Sequence, residues 1–261
     1  MKDRKNAFLL KSGIILFFLL FWEVLSRAEL VNVTFIPPFS AAFTNIYNLF
    51  QDNNLLEHLR ISTFRALSGF ILAVLVGIPL GLLLGLGPLR LKWAMEPLLE
   101  VLVQVNPFIL FHIIELILGI GEPARISVIF LTCLWPVVFS TVFGISNVDA
   151  QLLKIGRSFN LSKIRLFFQV ILPASSPKIF AGLRLSMGYS VFMLVAAEMM
   201  GAKSGLGWLI TQEQLNFHML NIFSIALVIA MLGLCLDLGM EFIQKKFSHY
   251  KMQEFLNSSE L

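Results

Sequence analysis

The stretch NVDAQLLKIGRSFNLSKIRLFFQVILPASSP, from Asn147 to Pro177, lies between two long apolar segments. It contains four basic residues, beginning with Lys154, but a single acidic residue, Asp149. Between residues 151 and 162, Leu, Ile and Phe recur among polar residues at helical spacing. We therefore expect a short amphipathic helix that lies against a membrane surface and offers side chains to a partner outside the bilayer.

The composition predicts an all-α, polytopic membrane protein. Hydrophobic residues make up 57% of the 261 residues and charged residues only 14%, a balance typical of such proteins. We expect one transmembrane domain, 1–261. The net charge of +4 is too small to favour nucleic-acid binding. Cys133 and Cys235 lie within apolar runs and are expected to pack as small apolar residues, not as a disulfide or as metal ligands.

Six segments are apolar enough to be predicted as transmembrane helices. They are residues 12–27, 63–87, 97–121, 126–144, 179–201 and 222–242. The first follows a basic start, as a signal peptide does, but Trp22-Glu23 stands where a small-residue cleavage site would follow. We therefore expect a retained helix. A Gly-Ile-Pro-Leu-Gly run at 77–81 predicts a kink and a close helix contact in the second span.

The distribution of Lys and Arg predicts that both termini are cytoplasmic. Basic residues cluster before the first span, after the second span, in segment 145–178 and after the last span, and such clusters mark the cytoplasmic side. The segment 145–178 is therefore expected to face the cytoplasm. The polar segment 28–60 is expected on the outer side, with a short helix near 41–50.

Segment 145–178 resembles the cytoplasmic motif of the permeases of bacterial binding-protein-dependent ABC importers. That motif is Glu-Ala-Ala, three residues, Gly, nine residues and Ile-x-Leu-Pro. In this register Lys154-Ile155-Gly156 takes the Glu-Ala-Ala position, Asn160 the Gly position, and Val170-Ile171-Leu172-Pro173 the Ile-x-Leu-Pro end. The spacing and the Leu-Pro end match, whereas the residues at the Glu-Ala-Ala and Gly positions differ.

Further matches to the sulfonate/taurine/nitrate branch of these permeases occur in order along residues 12–245. They are Trp22-Glu23, Gly119-Ile120-Gly121-Glu122, Arg157-Ser158-Phe159, Ser162, Leu172-Pro173-Ala174 with Pro177, Gly182-Leu183-Arg184, Ala196-Ala197-Glu198-Met199 and Gly205-Leu206-Gly207. Each match is weak alone, and their common order makes the resemblance specific.

The resemblance implies a MetI-like type I ABC importer transmembrane domain with six transmembrane helices, in the bacterial inner membrane. It implies two permease copies around a solute pathway, two cytoplasmic ATPase subunits that bind ATP and Mg²⁺, and an extracytoplasmic substrate-binding protein. This chain itself would bind no cofactor. The residues that couple to the ATPase would be Gln151, Leu152, Lys154, Ile155, Gly156, Arg157, Ser158, Phe159, Asn160, Leu161 and Ser162. Leu172 and Pro173 would end the loop and set the entry angle of the fifth span.

The departures from the motif leave alternatives open. Asn tolerates a left-handed backbone at low cost, so the turn at Asn160 is expected to persist. Lys154, where the family has an acid, predicts either a partner ATPase with a compensating acidic groove or weakened coupling. The segment could instead only bind anionic headgroups through its basic residues.

Ionisable residues inside predicted spans are costly in hydrocarbon and usually face a cavity or a partner. His112 and Glu115 are three residues apart in the third span and share a helical face. They predict either a pathway pair that selects a polar or cationic solute or a helix–helix hydrogen bond. Glu198, near the outer end of the fifth span, is expected in the pathway or at the interface. Arg184 is expected to pair with an acidic residue of the sixth span.

The sequence contains no Gly-x-x-x-x-Gly-Lys-Ser/Thr motif, no metal-ligand spacing and no nucleophile elbow. We therefore expect ATP hydrolysis on another chain and no enzymatic role here. Two other classes of membrane protein stay open. A secondary transporter or channel would need inverted repeats or its own ion-coupling site, and neither is evident in the sequence. A non-transport scaffold derived from a permease is compatible with the altered motif.

Overall fold

A computed structural model describes residues 2–28, 31–52, 55–104 and 106–258. Every regular element in these residues is helical, which confirms the all-α prediction. The helices are α1 Lys2–Arg27, α2 Phe39–Asp52, α3 Leu55–Leu86, α4 Leu89–Gln104, α5 Pro107–Leu118, α6 Glu122–Ser146, α7 Ala150–Ser158, α8 Lys163–Leu166, α9 Leu172–Met199, α10 Leu206–Leu215 and α11 Met219–Ser258, with a π-helical turn at Phe167–Ile171 between α8 and α9.

Four helical runs in the described residues are long and apolar enough to cross a membrane. They are Leu55–Leu86, Glu122–Ser146, Lys163–Met199 and Met219–Lys246. These runs correspond to the second, fourth, fifth and sixth predicted spans. The first predicted span lies within α1, and the short helix predicted near 41–50 is α2.

The prediction of a single helix for the third span, 97–121, is wrong. The helix α4 ends at Gln104 and α5 begins at Pro107, where the Asn106 side chain accepts the Phe108 N–H at 2.9 Å. Proline has no N–H to donate, so it fits the first turn of a helix better than its interior. With 12 residues, α5 is about 18 Å long, which is too short to cross a hydrocarbon layer of about 30 Å alone.

Leu172 and Pro173, expected from the sequence to end the cytoplasmic loop, are the first two residues of α9. Helical structure begins at Lys163 and continues through both residues to Met199. A regular helix would require a Pro173 N–H and would bring its ring against a preceding carbonyl. The π-helical turn accommodates the proline, since the Leu172 N–H bonds to the Phe167 carbonyl five residues back. The Leu-Pro pair therefore marks a wide turn inside a helix.

The chain forms two compact units. The first consists of the described residues of Met1–Ile61 and Lys203–Met231, and the second of those of Ser62–Ala202 and Leu232–Leu261. The second unit holds a core of buried apolar side chains from α3, α4, α5, α6 and α9. All sites predicted from the sequence lie in this second unit.

Close helix contacts in the second unit depend on small residues. A methyl group at Gly77 of α3 would lie 2.9 Å from the Val137 side chain of α6, and one at Gly81 would lie 2.6 Å from Thr141. A methyl group at Gly182 of α9 would likewise lie 3.0 Å from a backbone oxygen of α6. Small residues allow helix backbones to approach closely in membranes. The close contact predicted from the 77–81 run is thus confirmed.

Candidate functional site

The helix α7, Ala150–Ser158, presents apolar and basic side chains together. Ile155 is 53% exposed and Phe159, directly after the helix, is 74% exposed. Lys154 and Arg157 are exposed beside them. Large apolar side chains exposed next to cations on one short helix are typical of a surface that contacts another molecule.

The end of α7 is a Schellman turn, a compact motif that closes helices. The Asn160 N–H bonds to the Arg157 carbonyl at 3.0 Å, and the Leu161 N–H bonds to the Gly156 carbonyl at 3.4 Å. Asn160 has φ of 50°, so the prediction of a left-handed turn at this residue is confirmed. The helix therefore ends at Ser158, and the last residues of the predicted helix 151–162 form a turn instead.

A glycine lets α7 contact the start of the next helical run. Gly156 is buried, and a methyl group there would lie 2.5 Å from a methyl of Leu166 in α8. The Ser162 hydroxyl caps α8 by accepting the Arg165 N–H at 3.4 Å. Because α8 continues into α9, α7 packs against the base of a helical run that reaches Met199.

His112 and Glu115 lie at the border between the packed and the exposed side of α5. Phe111 is fully buried, whereas His112 is exposed and Glu115 is half-buried. The rings of Phe111 and His112 meet edge to face with centroids 6.0 Å apart. Within the described residues, neither the His112 nor the Glu115 side chain forms a hydrogen bond or an ion pair. The polar atoms of both side chains are therefore available to another molecule.

Glu198 lies in the protein interior and not at an open interface. Its carboxylate accepts a hydrogen bond from Ser62 Oγ at 2.8 Å and from Arg65 Nη1 at 2.7 Å. Arg65 also bonds to Glu122, from Nε at 2.7 Å and from Nη2 at 2.5 Å. The Arg65 side chain is 1% exposed and the Glu198 side chain 0%. This ion-pair network connects α3, α6 and α9.

Arg65, the residue at the centre of this network, was not among the residues predicted from the sequence. Its position in the sequence could have identified it. Arg65 lies inside the predicted span 63–87, and a cation in a membrane span needs a partner. The sequence does not show which acid provides it, since Glu122 and Glu198 belong to different helices.

A second ion pair, predicted from the sequence, joins α9 to α11. Arg184 Nε bonds to Asp237 Oδ1 at 2.5 Å, and Arg184 Nη2 lies 3.4 Å from Glu241 Oε2. The side chains of Arg184 and Asp237 are 41% and 38% exposed. Unlike the Arg65 network, this pair is therefore only partly buried.

Comparison with known proteins assigns the chain to a family. The family described as binding-protein-dependent transport system inner membrane component matches residues 77–249. The bicarbonate transport system permease protein CmpB of Synechocystis sp. is 31% identical over 243 residues, which cover 88% of this chain and 85% of that protein. The chain belongs to this family. The permease resemblance drawn from the sequence motifs is thus confirmed, and the protein is a permease subunit of a binding-protein-dependent ABC importer.

Other similarities of the permease agree with this assignment. It is 29% identical over 245 residues to the taurine transport system permease protein TauC of Escherichia coli, covering 92% of the permease and 88% of TauC. It is 33% identical over 233 residues to the nitrate import permease protein NrtB of Synechocystis sp., covering 87% and 84% of the two chains. The solved structure of the inward-facing MetNI methionine ABC transporter aligns with a TM-score of 0.65 at 15% identity, over 74% of the permease and 96% of that chain. That likeness supports the MetI-like fold.

Proposed function

We propose that the permease forms the solute pathway of an ATP-driven importer and that residues 150–162 form the docking surface for a separate cytoplasmic ATPase. The exposed apolar and basic side chains of α7 and its turn support this proposal. A partner groove that buries Ile155 and Phe159 would remove their apolar surface from water. Acidic groups at the rim of that groove would match Lys154 and Arg157.

The packing of α7 supports transmission of movement from the ATPase to the membrane. The Schellman turn at Asn160 fixes the end of α7, and the Gly156–Leu166 contact joins α7 to α8. The run from Lys163 to Met199 is helical throughout. A rigid-body displacement of α7 would therefore move the base of a membrane-spanning helix directly.

The complete importer would contain two copies of the permease, two ATPase subunits that bind ATP and Mg²⁺, and an extracytoplasmic binding protein. The Lys and Arg distribution supports an orientation with both termini and α7 in the cytoplasm. The lack of a phosphate-binding motif in the chain supports ATP hydrolysis on the partner. This arrangement distinguishes the permease from a secondary transporter or channel.

We infer that His112 and Glu115 belong to the solute pathway. Glu198, also expected in the pathway from the sequence, is 0% exposed and bonded to Ser62 and Arg65, an arrangement that supports a role in holding the surrounding helices together. Bicarbonate, taurine and nitrate are the solutes in the names of three relatives, and all three carry an oxyanion group. A small oxyanion is therefore the proposed solute class. A solute that also carries a cationic or hydrogen-bonding group, as taurine does, suits the His112–Glu115 pair better than a bare anion, because Glu115 repels negative charge.

Truncation of Phe159 tests the docking surface. Phe159→Ala should weaken binding of the purified ATPase to the permease in nanodiscs by about 1–3 kcal/mol, the range for a buried interface anchor. This corresponds to a roughly 5–150-fold higher Kd. Phe192→Ala is the matched control, because Phe192 is 73% exposed on the spanning helix α9. An equal effect of both variants would show that α7 is not the docking surface.

Reversal of the charge at Lys154 tests the acidic groove. Lys154→Glu should reduce substrate-stimulated ATP hydrolysis, because it places a carboxylate opposite the acidic rim. Stimulation that is unchanged or higher would contradict a compensating acidic groove. If neither Phe159→Ala nor Lys154→Glu changes ATPase binding or hydrolysis, the segment only contacts headgroups and the scaffold hypothesis is the better one.

A further inference from the structure

We propose that α2 lies in the headgroup layer of the membrane, with an aromatic stripe of Phe43, Tyr47 and Phe50 in contact with lipid. These side chains are 52%, 68% and 44% exposed. Their spacing of four and three residues places them on one face of the helix. Three large rings exposed side by side form an apolar surface, and such surfaces are typical of sites that contact a protein or a membrane.

A polar edge runs beside the aromatic stripe. Thr44, Asn48 and Gln51 each follow one of the aromatic residues and therefore point about 100° away from it. All three side chains are exposed. Gln51 Nε2 donates a hydrogen bond to the Tyr47 hydroxyl at 2.9 Å, so the phenol oxygen lies toward the polar edge. Adjacent apolar and polar exposed faces suit an interfacial helix, whose one side contacts acyl chains and the other water.

The opposite face of α2 is held against the start of α11. Ala42 and Leu49 are buried. Asn45 Nδ2 donates to Asn221 Oδ1 at 2.7 Å, and Ser224 Oγ donates to the Ala42 carbonyl at 2.8 Å. These bonds fix the rotation of α2, so the helix cannot turn to bury its aromatic stripe.

The aromatic stripe continues the apolar exterior of α1. Phe17 and Phe21 of α1 are 71% and 55% exposed. Near the end of α1, Trp22 contacts Phe39 with ring centroids 5.6 Å apart, and Phe39 contacts Phe43 at 6.1 Å. Because α1 contains the first predicted span, we expect its exposed rings to face lipid. The ring contacts thus connect α1 to α2. This places the stripe at the interface between hydrocarbon and water, where Trp and Tyr are enriched in membrane proteins.

The composition of α2 favours a neutral lipid surface over a charged protein surface. Residues 39–51 contain no charged side chain, so nothing in the stripe can form an ion pair with a partner. Attachment to lipid would depend on apolar area and not on anionic headgroups. In the proposed orientation the lipid belongs to the outer leaflet. The inference rests on the membrane location of the permease and is independent of ATPase docking at α7.

Spin labels placed on neighbouring positions test the inference. Tyr47→Cys and Asn48→Cys are each labelled with a nitroxide, in a permease whose Cys133 and Cys235 are replaced by serine. The labelled proteins are reconstituted in phosphatidylcholine vesicles, and collisions with oxygen and with a water-soluble nickel chelate are measured. The label at 47 should show a several-fold higher ratio of oxygen to nickel collisions than the label at 48, because oxygen concentrates in lipid. Addition of phosphatidylglycerol should leave this ratio unchanged.

Three outcomes would overturn the proposal. Equal nickel collisions at positions 47 and 48 would show that water covers the stripe. Dipolar broadening between labels at position 47 would show that a second copy of the permease covers it. Protection of position 47 only after the binding protein is added would show that the stripe is a docking surface for that protein.

Discussion

Substitution of Arg65 by methionine removes the buried cation that bonds to Glu198. The Arg65 and Glu198 side chains are 1% and 0% exposed, and Nη1 and Oε1 lie 2.7 Å apart. Loss of one partner of a buried ion pair costs roughly 3–5 kcal/mol, because the remaining charge stays in a medium of low polarity. For a domain of this size that free energy corresponds to a decrease of roughly 6–20 °C in Tm, at about 2–4 °C per kcal/mol. The assay is thermal unfolding of the purified permease in detergent.

Two further variants isolate the charge effect. Arg65→Met combined with Glu198→Met replaces both partners by apolar side chains, and such replacements are often neutral or stabilising by about 1–4 kcal/mol. Its Tm should therefore exceed that of Arg65→Met alone. Arg184→Met breaks an ion pair whose partners are 41% and 38% exposed, and should lower the Tm far less than Arg65→Met, because water screens exposed charges.

Either of two results would contradict a loss of stability caused by the buried charge. One is an equal Tm for Arg65→Met and Arg184→Met, because burial would then have no effect on the stability lost when the ion pair is broken. The other is a double variant as unstable as Arg65→Met, because the loss would then come from packing and not from an uncompensated Glu198.

Three other predictions address packing, the pathway and the orientation. Gly182→Ala should destabilise the permease by about 1–3 kcal/mol, since the added methyl would lie 3.0 Å from a backbone oxygen of α6. Gly188→Ala on the same helix is the control, because a methyl there would have nothing within 4 Å. It should be neutral or slightly stabilising in the same thermal assay. Glu115→Leu should change the solute selectivity measured in proteoliposomes while ATPase assembly is retained; unchanged selectivity or loss of assembly would contradict the pathway role. An impermeant thiol reagent added to intact cells should label single cysteines in the segment 28–60 but not at Lys163, and labelling at 163 would reverse the orientation.

Features that depend on local sequence could be predicted well. The four longest apolar runs follow from hydropathy, because a helix that crosses hydrocarbon must be apolar along its length. The turn after α7 follows from Asn160, because Asn adopts a left-handed backbone at low cost. The order of short motifs was sufficient to indicate the permease family, and the site residues assigned from those motifs stay predictions.

Only the tertiary structure decided how the helices pair and where they break. Hydropathy alone does not separate α4 from α5, because the apolar segment 97–121 runs across both, and the break depends on how Asn106 and Pro107 start a new helix. Likewise, the helix from Lys163 passes through Leu172-Pro173 because a π-helical turn accommodates the missing N–H. The sequence by itself determined that the chain is a helical membrane permease, because hydropathy and motif order are properties of the linear chain. The partner of Arg65 was decided by the fold, since an ion pair between α3 and α9 forms only where packing brings residues 133 positions apart together.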